Sequence, residues 1–340
     1  AQMATGEQIS TAVQTMALHH LGADAVARTG PQAGIYTDDV HMKAKIRALK
    51  PKRLLAQLKK NKIVVVAGFQ GMNPNEDIAT LGRGGSDTTA VALAAAIKAD
   101  RCQILKDVEG VYTANPRIVP EARKVDEIAY DEMLELASMG AEVLQSRAVE
   151  FAKNHGVTLE VMSSFVEKPG TLVRAEVKNL EDIVVRGVAS DKNQAKVTVS
   201  GLQDKPGVAA LMFTELARKN INVDMIVQNV SERGETDITF TVPRTDLTKT
   251  RRVVEGMQAD LGAKGISEDE DIAKVSIVGV GMRSHSGVAA RMFEALAKQK
   301  INIEMIATSE IKISVVIRKG EADKAVQVLH KAFELGKKGK

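Results

Sequence analysis

The sequence predicts an α/β protein in which a mostly parallel open sheet is followed by two interleaved βαββαβ units. Three observations predict it. β-Branched runs alternate with helical patterns up to about residue 165, much of the second half is a repeat, and one strand, Ile183–Val188, is left over where the repeat lacks one.

The first helical pattern is under way by Gln8, with Ile9, Ala12, Val13, Met16 and Ala17 spaced along it. No strand precedes it, which we read as the middle of a fold rather than its start. Lys62–Val66 then runs into Ala67-Gly68-Phe69-Gln70-Gly71, a buried strand ending in a turn. Thr88–Ala99 is Ala-rich and can lie close against a sheet as a helix. Gln103–Leu105 reads as a short strand, Tyr130–Met139 and Val143–Asn154 as helices, and Thr158–Val161 as another strand. Strand and helix in this alternation favour a parallel sheet covered on both faces. Lys168-Pro169-Gly170-Thr171 is turn chemistry and marks a domain exit.

In the second half, Ala195–Val199 matches Ala273–Ile277, Gly207-Val208-Ala209-Ala210 matches Gly287-Val288-Ala289-Ala290, and Ile221–Ile226 matches Ile301–Ile306. The offset is 78 residues before the glycine and 80 after it, so copy two carries two extra loop residues. Such a match indicates duplication. Each copy reads strand, Gly loop, helix, strand, strand, helix, with Val208, Leu211, Met212 and Leu216 answered by Val288, Met292 and Leu296 at helical spacing. That order is close to a ferredoxin-like βαββαβ unit. Copy one can finish on a strand near Gly265–Glu268, but copy two runs out of chain after the helix Ala322–Leu335. Ile183–Val188 therefore crosses over to complete copy two, interleaving the units. The boundaries expected are 1–168, a linker and strand over 169–194, then 195–270 and 271–340.

Composition excludes several classes. Forty-seven Lys and Arg against 43 Asp and Glu leave a formal net charge of +4, with no long basic run, and aromatics at 3% offer little to stack on bases, so no nucleic-acid partner is expected. The lone Cys102 cannot form an intrachain disulfide, which fits a reducing cytoplasm. No apolar run approaches the ~18 residues that span a bilayer, so no membrane partner is expected.

The densest chemical signal is Thr80-Leu81-Gly82-Arg83-Gly84-Gly85-Ser86-Asp87-Thr88-Thr89-Ala90. Gly82, Gly84 and Gly85 let backbone approach an anion without a Cβ in the way, and the helix that follows points free N–H groups at it. Arg83 adds a planar cation suited to phosphate or carboxylate. Asp87 is either a cap or an orienting acid. The stretch lacks the Gly-Lys-Ser/Thr ending of a P-loop, and a Gly-rich turn with an Asp cap accounts for the same residues. A second cluster, Lys106-Asp107-Val108-Glu109-Gly110-Val111-Tyr112-Thr113-Ala114-Asn115-Pro116-Arg117, follows the strand Gln103–Leu105 and so sits at a carboxyl edge, where open α/β sheets bind ligands. Tyr112 can lie along a base and Arg117 can reach phosphate; an ordinary solvated turn reads equally well. In the repeats, Asp204-Lys205-Pro206-Gly207-Val208-Ala209 enters a helix N-terminus suited to a carboxylate.

VVVAGFQG, TLGRGGSDTTAVALAAA, DVEGVYTANPRIVPEARKV and YDEMLELASMGAEVL resemble the aspartate kinase branch of the amino acid kinase family. The repeat, with GLQDKPGVAA, INVDMIVQNV and INIEMIATSEIKISV, resembles that branch's paired ACT domains. The resemblance covers nearly all of the chain and implies a carbamate kinase-like first domain that phosphorylates the β-carboxylate of L-aspartate with Mg-ATP. It places Glu7 near the aspartate ammonium and Arg83 on its α-carboxylate, with Asp87 ordering the site and Thr80 and Ser86 lining it. The nucleotide falls to the glycines with Lys106, Asp107, Tyr112, Arg117 and Glu142. Magnesium comes with the ATP phosphates rather than from a protein metal site. Lysine, threonine or both are implied as effectors between the ACT units, at Asp204, Pro206, Gly207, Val208, Ala209, Asp224, Gln228 and Asn229 in copy one and Ser286, Asn302 and Ile303 in copy two. Ser286 stands where copy one has Pro206, so the two pockets are not equivalent. A homodimer or hetero-oligomer through the ACT sheets is expected, because such sheets leave open edges.

The sequence also departs from that branch. The initial strand with its Lys-Phe-Gly-Gly-Thr-Ser loop has no counterpart, Glu142 stands for a nucleotide-binding Lys, Lys106 for Thr and Asn115 for Asp. Reversing a charge beside triphosphate is an effect of ~1–4 kcal/mol in partly solvated surroundings. The alternative expectation is a regulatory subunit or fragment that binds amino acids without transferring phosphate.

Overall fold

A computed structural model describes every residue except 1, 41, 140–142, 176, 178–183, 231–233, 284 and 338–340. The chain forms two compact units. The first comprises residues up to Tyr112 together with Lys124–Leu180; the second comprises Thr113–Arg123 and everything from Glu181 onward.

Unit 1 runs α1 (Gln2–His20), β1 (Ala25–Arg28), β2 (Ile35–Thr37), β3 (Ile46–Leu49), α2 (Lys52–Leu58), β4 (Ile63–Val66), β5 (Gln70–Met72), β6 (Ile78–Thr80), α3 (Gly85–Ile97), β7 (Cys102–Lys106), β8 (Glu127–Ala129), α4 (Tyr130–Ser138), α5 (Ser146–His155), β9 (Leu159–Ser163) and β10 (Thr171–Arg174). The expected α/β alternation is there, but its strands divide into three small sheets, β1-β4, β7-β9-β10-β8 and β3-β2-β5-β6. β1–β4, β7–β9, β8–β10 and β2–β5 pair parallel, and hairpin-like antiparallel pairs fill the rest. Lys168–Thr171 is not the domain exit. β10 pairs with both β8 and β9, and Thr171, fully buried, accepts from Val111 N–H and donates to the Val125 carbonyl.

Unit 2 runs β11 (Gly187–Gln203), α6 (Val208–Arg218), β12 (Ile226–Val230), β13 (Glu235–Pro243), α7 (Leu247–Gly256), α8 (Gln258–Leu261), β14 (Gly265–Val278), α9 (Val288–Lys298), β15 (Met305–Thr308), β16 (Lys312–Arg318) and α10 (Ala322–Ala332). These strands form one antiparallel sheet in the order β12-β13-β11-β14-β16-β15. The interleaving goes further than a crossing strand. β11 and β14 each run through both copies: Gly187–Asp191 pairs with Lys274–Val278 in copy two, while Lys196–Ser200 pairs with Gly265–Asp269 in copy one. The strand expected from Ile183 starts at Gly187, and residue 183 lies outside the described residues.

Period-two alternation sets the two faces of this sheet. Ala195, Val197, Val199, Ile238, Phe240 and Val242 turn to Val208, Met212 and Leu216 of α6; Val275, Ile277, Val315 and Ile317 turn to α9 and to Val326 and Leu329 of α10. The opposite face carries a small apolar cluster of Met225, Ile272, Met305 and Val316 and charges paired across the copies. Lys196 of copy one binds Glu304 of copy two, and Lys274 of copy two binds Asp224 of copy one. These are matched positions of the repeat, so the pairing is reciprocal. Asp269, 3.8 Å from Lys196, and Arg318, 2.8 Å from both Asp269 and Glu304, extend one pair into a network. The Lys274 side chain is only 4% exposed. Asp224→Ala strands that ammonium without its carboxylate, and because the Asp224 side chain is 38% exposed, urea unfolding is expected to register a loss of about 1–2 kcal/mol, less than for a fully buried pair. A loss near zero would show that the pair contributes nothing.

Candidate active site and effector loops

In unit 1 the chain leaves β4 through Ala67-Gly68 into Phe69, whose φ is +66°. This turn is pressed against the start of α3. A Cβ on Gly68 would stand 3.2 Å from Ser86 Oγ, and one on Gly85 would stand 2.8 Å from the Phe69 ring. Phe69 N–H donates to Thr89 Oγ1, and Leu81 N–H donates to the Phe69 carbonyl. The turn after β6 needs left-handed backbone at Gly82 (φ +80°) and Gly84 (φ +69°); at Gly82 a Cβ would lie 2.3 Å from the Met42 carbonyl oxygen. Gly84 is the N-cap of α3, and no side chain caps the helix. Gly85 N–H turns back to the Gly82 carbonyl, and the next N–H groups, of Ser86 and Asp87, face the helix end where a ligand or water can meet them.

Asp87 is not a cap. Its two carboxylate oxygens accept from Lys106 Nζ at 3.0 and 3.1 Å, and its side chain is 13% exposed. This joins the two clusters that the sequence offered separately, since Lys106 is the last residue of β7. Asp107 follows it at the surface. Tyr112 is half-buried and bridges Lys124; burial, with Glu109 adding to it, raises its phenol above the ordinary value while Lys168 opposes. Arg83 and Ser86 are exposed on the Gly-rich turn, and Thr80 is buried beneath it. Glu7 is half-buried on α1, whose first turns are tied to the Phe69 turn by Gln70: its Nε2 donates to the Ala4 carbonyl and its Oε1 accepts from Gln8 Nε2. Arg117 is exposed on Thr113–Arg123, the segment that belongs to unit 2.

Two braces carry no sequence signal of their own. Arg147 of α5 donates to the Leu81 and Ala44 carbonyls at 3.0 and 2.8 Å, and burial lowers its guanidinium below the ordinary value against the pull of Asp38 and Glu150. Gln145 lies over Gly84, where a Cβ would meet its side chain. The concave surface of about 380 Å³ at Arg28, Gln32, Arg53, Ala56 and Gln57 involves none of these residues. Among the described residues, no group of three or more His, Cys, Asp or Glu is placed to hold a metal ion, and no helix is long and apolar enough to cross a membrane.

The Amino acid kinase family matches residues 1–163, and the ACT domain matches residues 197–257 and 275–333. An aspartokinase of Pseudomonas aeruginosa is 53% identical over 98% of this chain and 81% of its own length. The chain belongs to the aspartokinase family. Another aspartokinase, from Corynebacterium glutamicum, is 49% identical over 98% of the chain and 80% of its own length. Among solved structures, E. coli aspartokinase III in complex with aspartate and ADP, described as the R-state, superposes with a TM-score of 0.85 at 30% identity, covering 96% of this chain and 74% of that one. The same enzyme in complex with lysine and aspartate, described as the T-state, superposes at 0.75 with 31% identity, covering 96% and 73%.

In the ACT tandem of this chain, Gly207 and Gly287 are the left-handed N-caps of α6 and α9, with φ of +100° and +87°. Asp204, Pro206 and Gly207 are exposed before α6, Val208 is buried and Ala209 half-buried; Ser286 is exposed before α9. Gln228 and Asn229 are exposed on the edge strand β12, Asn302 is exposed and Ile303 half-buried before β15. Asp224 is exposed, and its carboxylate pairs with Lys274. Glu142 lies outside the described residues.

Cys102, the only cysteine, is buried in β7 beneath this site. Burial, aided by the Asp87 charge, pushes its thiol up to about 11. Alkylation by iodoacetamide at pH 8 is expected to be negligible in the native protein and complete in denaturant. Native-state reaction at the rate of a free thiol would contradict this packing.

Proposed function

We propose that this chain transfers the γ-phosphoryl group of ATP to the β-carboxylate of L-aspartate, giving 4-phospho-L-aspartate, under control of lysine, threonine or both at its ACT tandem. The observation that carries the reading is the meeting of the Gly-rich turn, the uncapped start of α3 and the Asp87–Lys106 pair at the carboxyl end of β7. The relatives named aspartokinase and the E. coli enzyme's aspartate–ADP complex support it.

The chemistry asks for alignment and charge shielding more than for covalent work. A carboxylate oxygen forms the new bond to phosphorus as the bond to ADP breaks, and no proton needs to move. Arg83 is suited to the α-carboxylate of aspartate and Glu7 to its ammonium. Asp87, held by Lys106, orders the pocket that Thr80 and Ser86 line. Gly82, Gly84 and Gly85 admit phosphate close to backbone N–H groups, and Lys106, Asp107 and Tyr112 serve the nucleotide. Magnesium would enter on the ATP phosphates and shield their charge, with Asp107 the exposed carboxylate at that edge.

The assay is aspartate-dependent ADP release from Mg-ATP, with and without lysine and threonine. Turnover suppressed by either amino acid is expected. No turnover, with calorimetric binding of an effector, would make the chain a sensor instead. Arg83→Ala is expected to raise KM for aspartate roughly tenfold or more, the loss of one charge-assisted contact, while leaving KM for ATP near its starting value. Tyr112→Ala should do the reverse.

The edges of the ACT sheet support self-association. β12 and β15 end the sheet, and at matching positions of the repeat Ile226 is 50% and Ile306 45% exposed. A homodimer through these edges would cover them. Sedimentation should show Ile226→Lys and Ile306→Lys shifting the protein toward monomer; unchanged assembly would rule the edges out.

A further inference from the structure

A surface helix is ordinarily locked in place by a stripe of large apolar side chains, and α1 is not. Its buried residues are Ala4, Thr11 and Thr15, while Ile9, Val13 and Met16 are exposed. Side chains as small as the buried three make few packing contacts, so they specify the rotation and register of the helix only weakly. Glu7 shares their face, three positions after Ala4 and four before Thr11.

This face is tied down by the amide of Gln70, whose side chain is fully buried. Gln70 Nε2 donates to the Ala4 carbonyl at 3.1 Å, and Gln70 Oε1 accepts from Gln8 Nε2 at 3.0 Å. Ala4 and Gln8 are one turn apart and flank Glu7. The backbone of Gln70 is held from the other side. It opens β5 and stands opposite Thr80 in the β5–β6 ladder, just before the Gly-rich turn that bears Arg83. Phe69, its neighbour, donates to Thr89 Oγ1 and accepts from Leu81 N–H. One residue therefore joins the strand that leads into the Arg83 turn to the helix that carries Glu7.

We propose that Gln70 and Gln8 are positioning residues for aspartate: they hold Glu7 at a fixed separation from the Arg83 turn, so that the ammonium and the α-carboxylate are met together. This rests on the substrate roles given to Glu7 and Arg83. Aspartate carries both groups on one carbon, so the separation of their partners is the quantity the site must keep constant. A helix free to slide by an ångström would weaken the Glu7 contact sharply, and a buried amide with both ends engaged removes that freedom. The nucleotide reading uses no residue of α1, so the effect is confined to the amino acid.

The test is calorimetric titration of aspartate and, separately, of Mg-ATP, on the full chain and on Gln70→Met, Gln8→Ala, Glu7→Gln, Arg83→Ala and the double variant Glu7→Gln with Gln70→Met. Gln70→Met keeps the buried volume and removes both hydrogen bonds. Gln8 is half-buried on the helix, so Gln8→Ala folds whether or not Gln70→Met does. The expected result is a Kd for aspartate raised at least about tenfold by Gln70→Met and about threefold by Gln8→Ala, with the Kd for Mg-ATP within about twofold of its starting value. In the Glu7→Gln background Gln70→Met should add less than about twofold, because a residue that acts through Glu7 has nothing left to position. Wild-type aspartate affinity in Gln8→Ala, and in Gln70→Met if it folds, with Glu7→Gln and Arg83→Ala weakened, would overturn the positioning role and leave the substrate reading standing. Equal losses for aspartate and Mg-ATP, or additive effects of Glu7→Gln and Gln70→Met, would reduce Gln70 to a packing residue and also overturn it. No aspartate binding by the wild-type chain, or indifference to both Glu7→Gln and Arg83→Ala, would overturn the substrate reading and this inference with it.

Discussion

Two strands shared by two folds are the constraint on which the second unit rests. β11 supplies copy two with its first residues and copy one with its last, and β14 does the opposite. Neither copy possesses a complete sheet without residues that begin or end in the other. Edge exposure is thereby confined to β12 and β15, and an unpaired strand in either copy would leave a row of backbone groups unsatisfied. The helices then have one continuous surface to cover, which they do with the same i, i+4, i+8 apolar stripe in α6 and α9.

Unit 1 solves a different problem, which is to bring backbone close to anions and keep it there. Glycine at 68, 82, 84 and 85 removes Cβ atoms that would press on Ser86, the Met42 carbonyl, Gln145 and Phe69 respectively, and freedom of that kind has to be restrained by neighbours. Arg147 and Gln70 supply the restraint by holding carbonyls from separate parts of the chain. The Asp87–Lys106 pair adds charge without mobility, because neither end is fully solvated.

What the sequence revealed and what it hid divides along physical lines. The repeat was readable because apolar spacing survives duplication, and counting strands in each copy exposed the leftover Ile183–Val188. The continuity of β11 was not readable: Asp191-Lys192-Asn193 is polar enough to pass for a turn, yet it carries the register shift that lets the strand bend from one copy into the other. β10 was hidden for a similar reason, since Pro169-Gly170 signals an exit and Thr171 is buried by hydrogen bonds rather than by apolarity. Glycine-rich backbone drew attention to the site, while its braces did not, because an Arg or Gln that serves carbonyls dozens of residues away leaves no local pattern. Thr113 and His330 are 217 residues apart, and only the fold makes them neighbours.

The crossed ion pairs have an evolutionary consequence. When a gene segment duplicates, the two products are normally free to diverge, each under its own selection. Here Lys196 answers to Glu304 and Lys274 to Asp224, so a charge lost in one half removes a partner from the other, although Arg318 still holds Glu304 and Asp269 still faces Lys196. The halves must drift as a couple at these positions while remaining independent elsewhere, at Pro206 and Ser286 for instance. Ancestral sameness is thus preserved where the copies grip each other and discarded at the loops that lead into their helices.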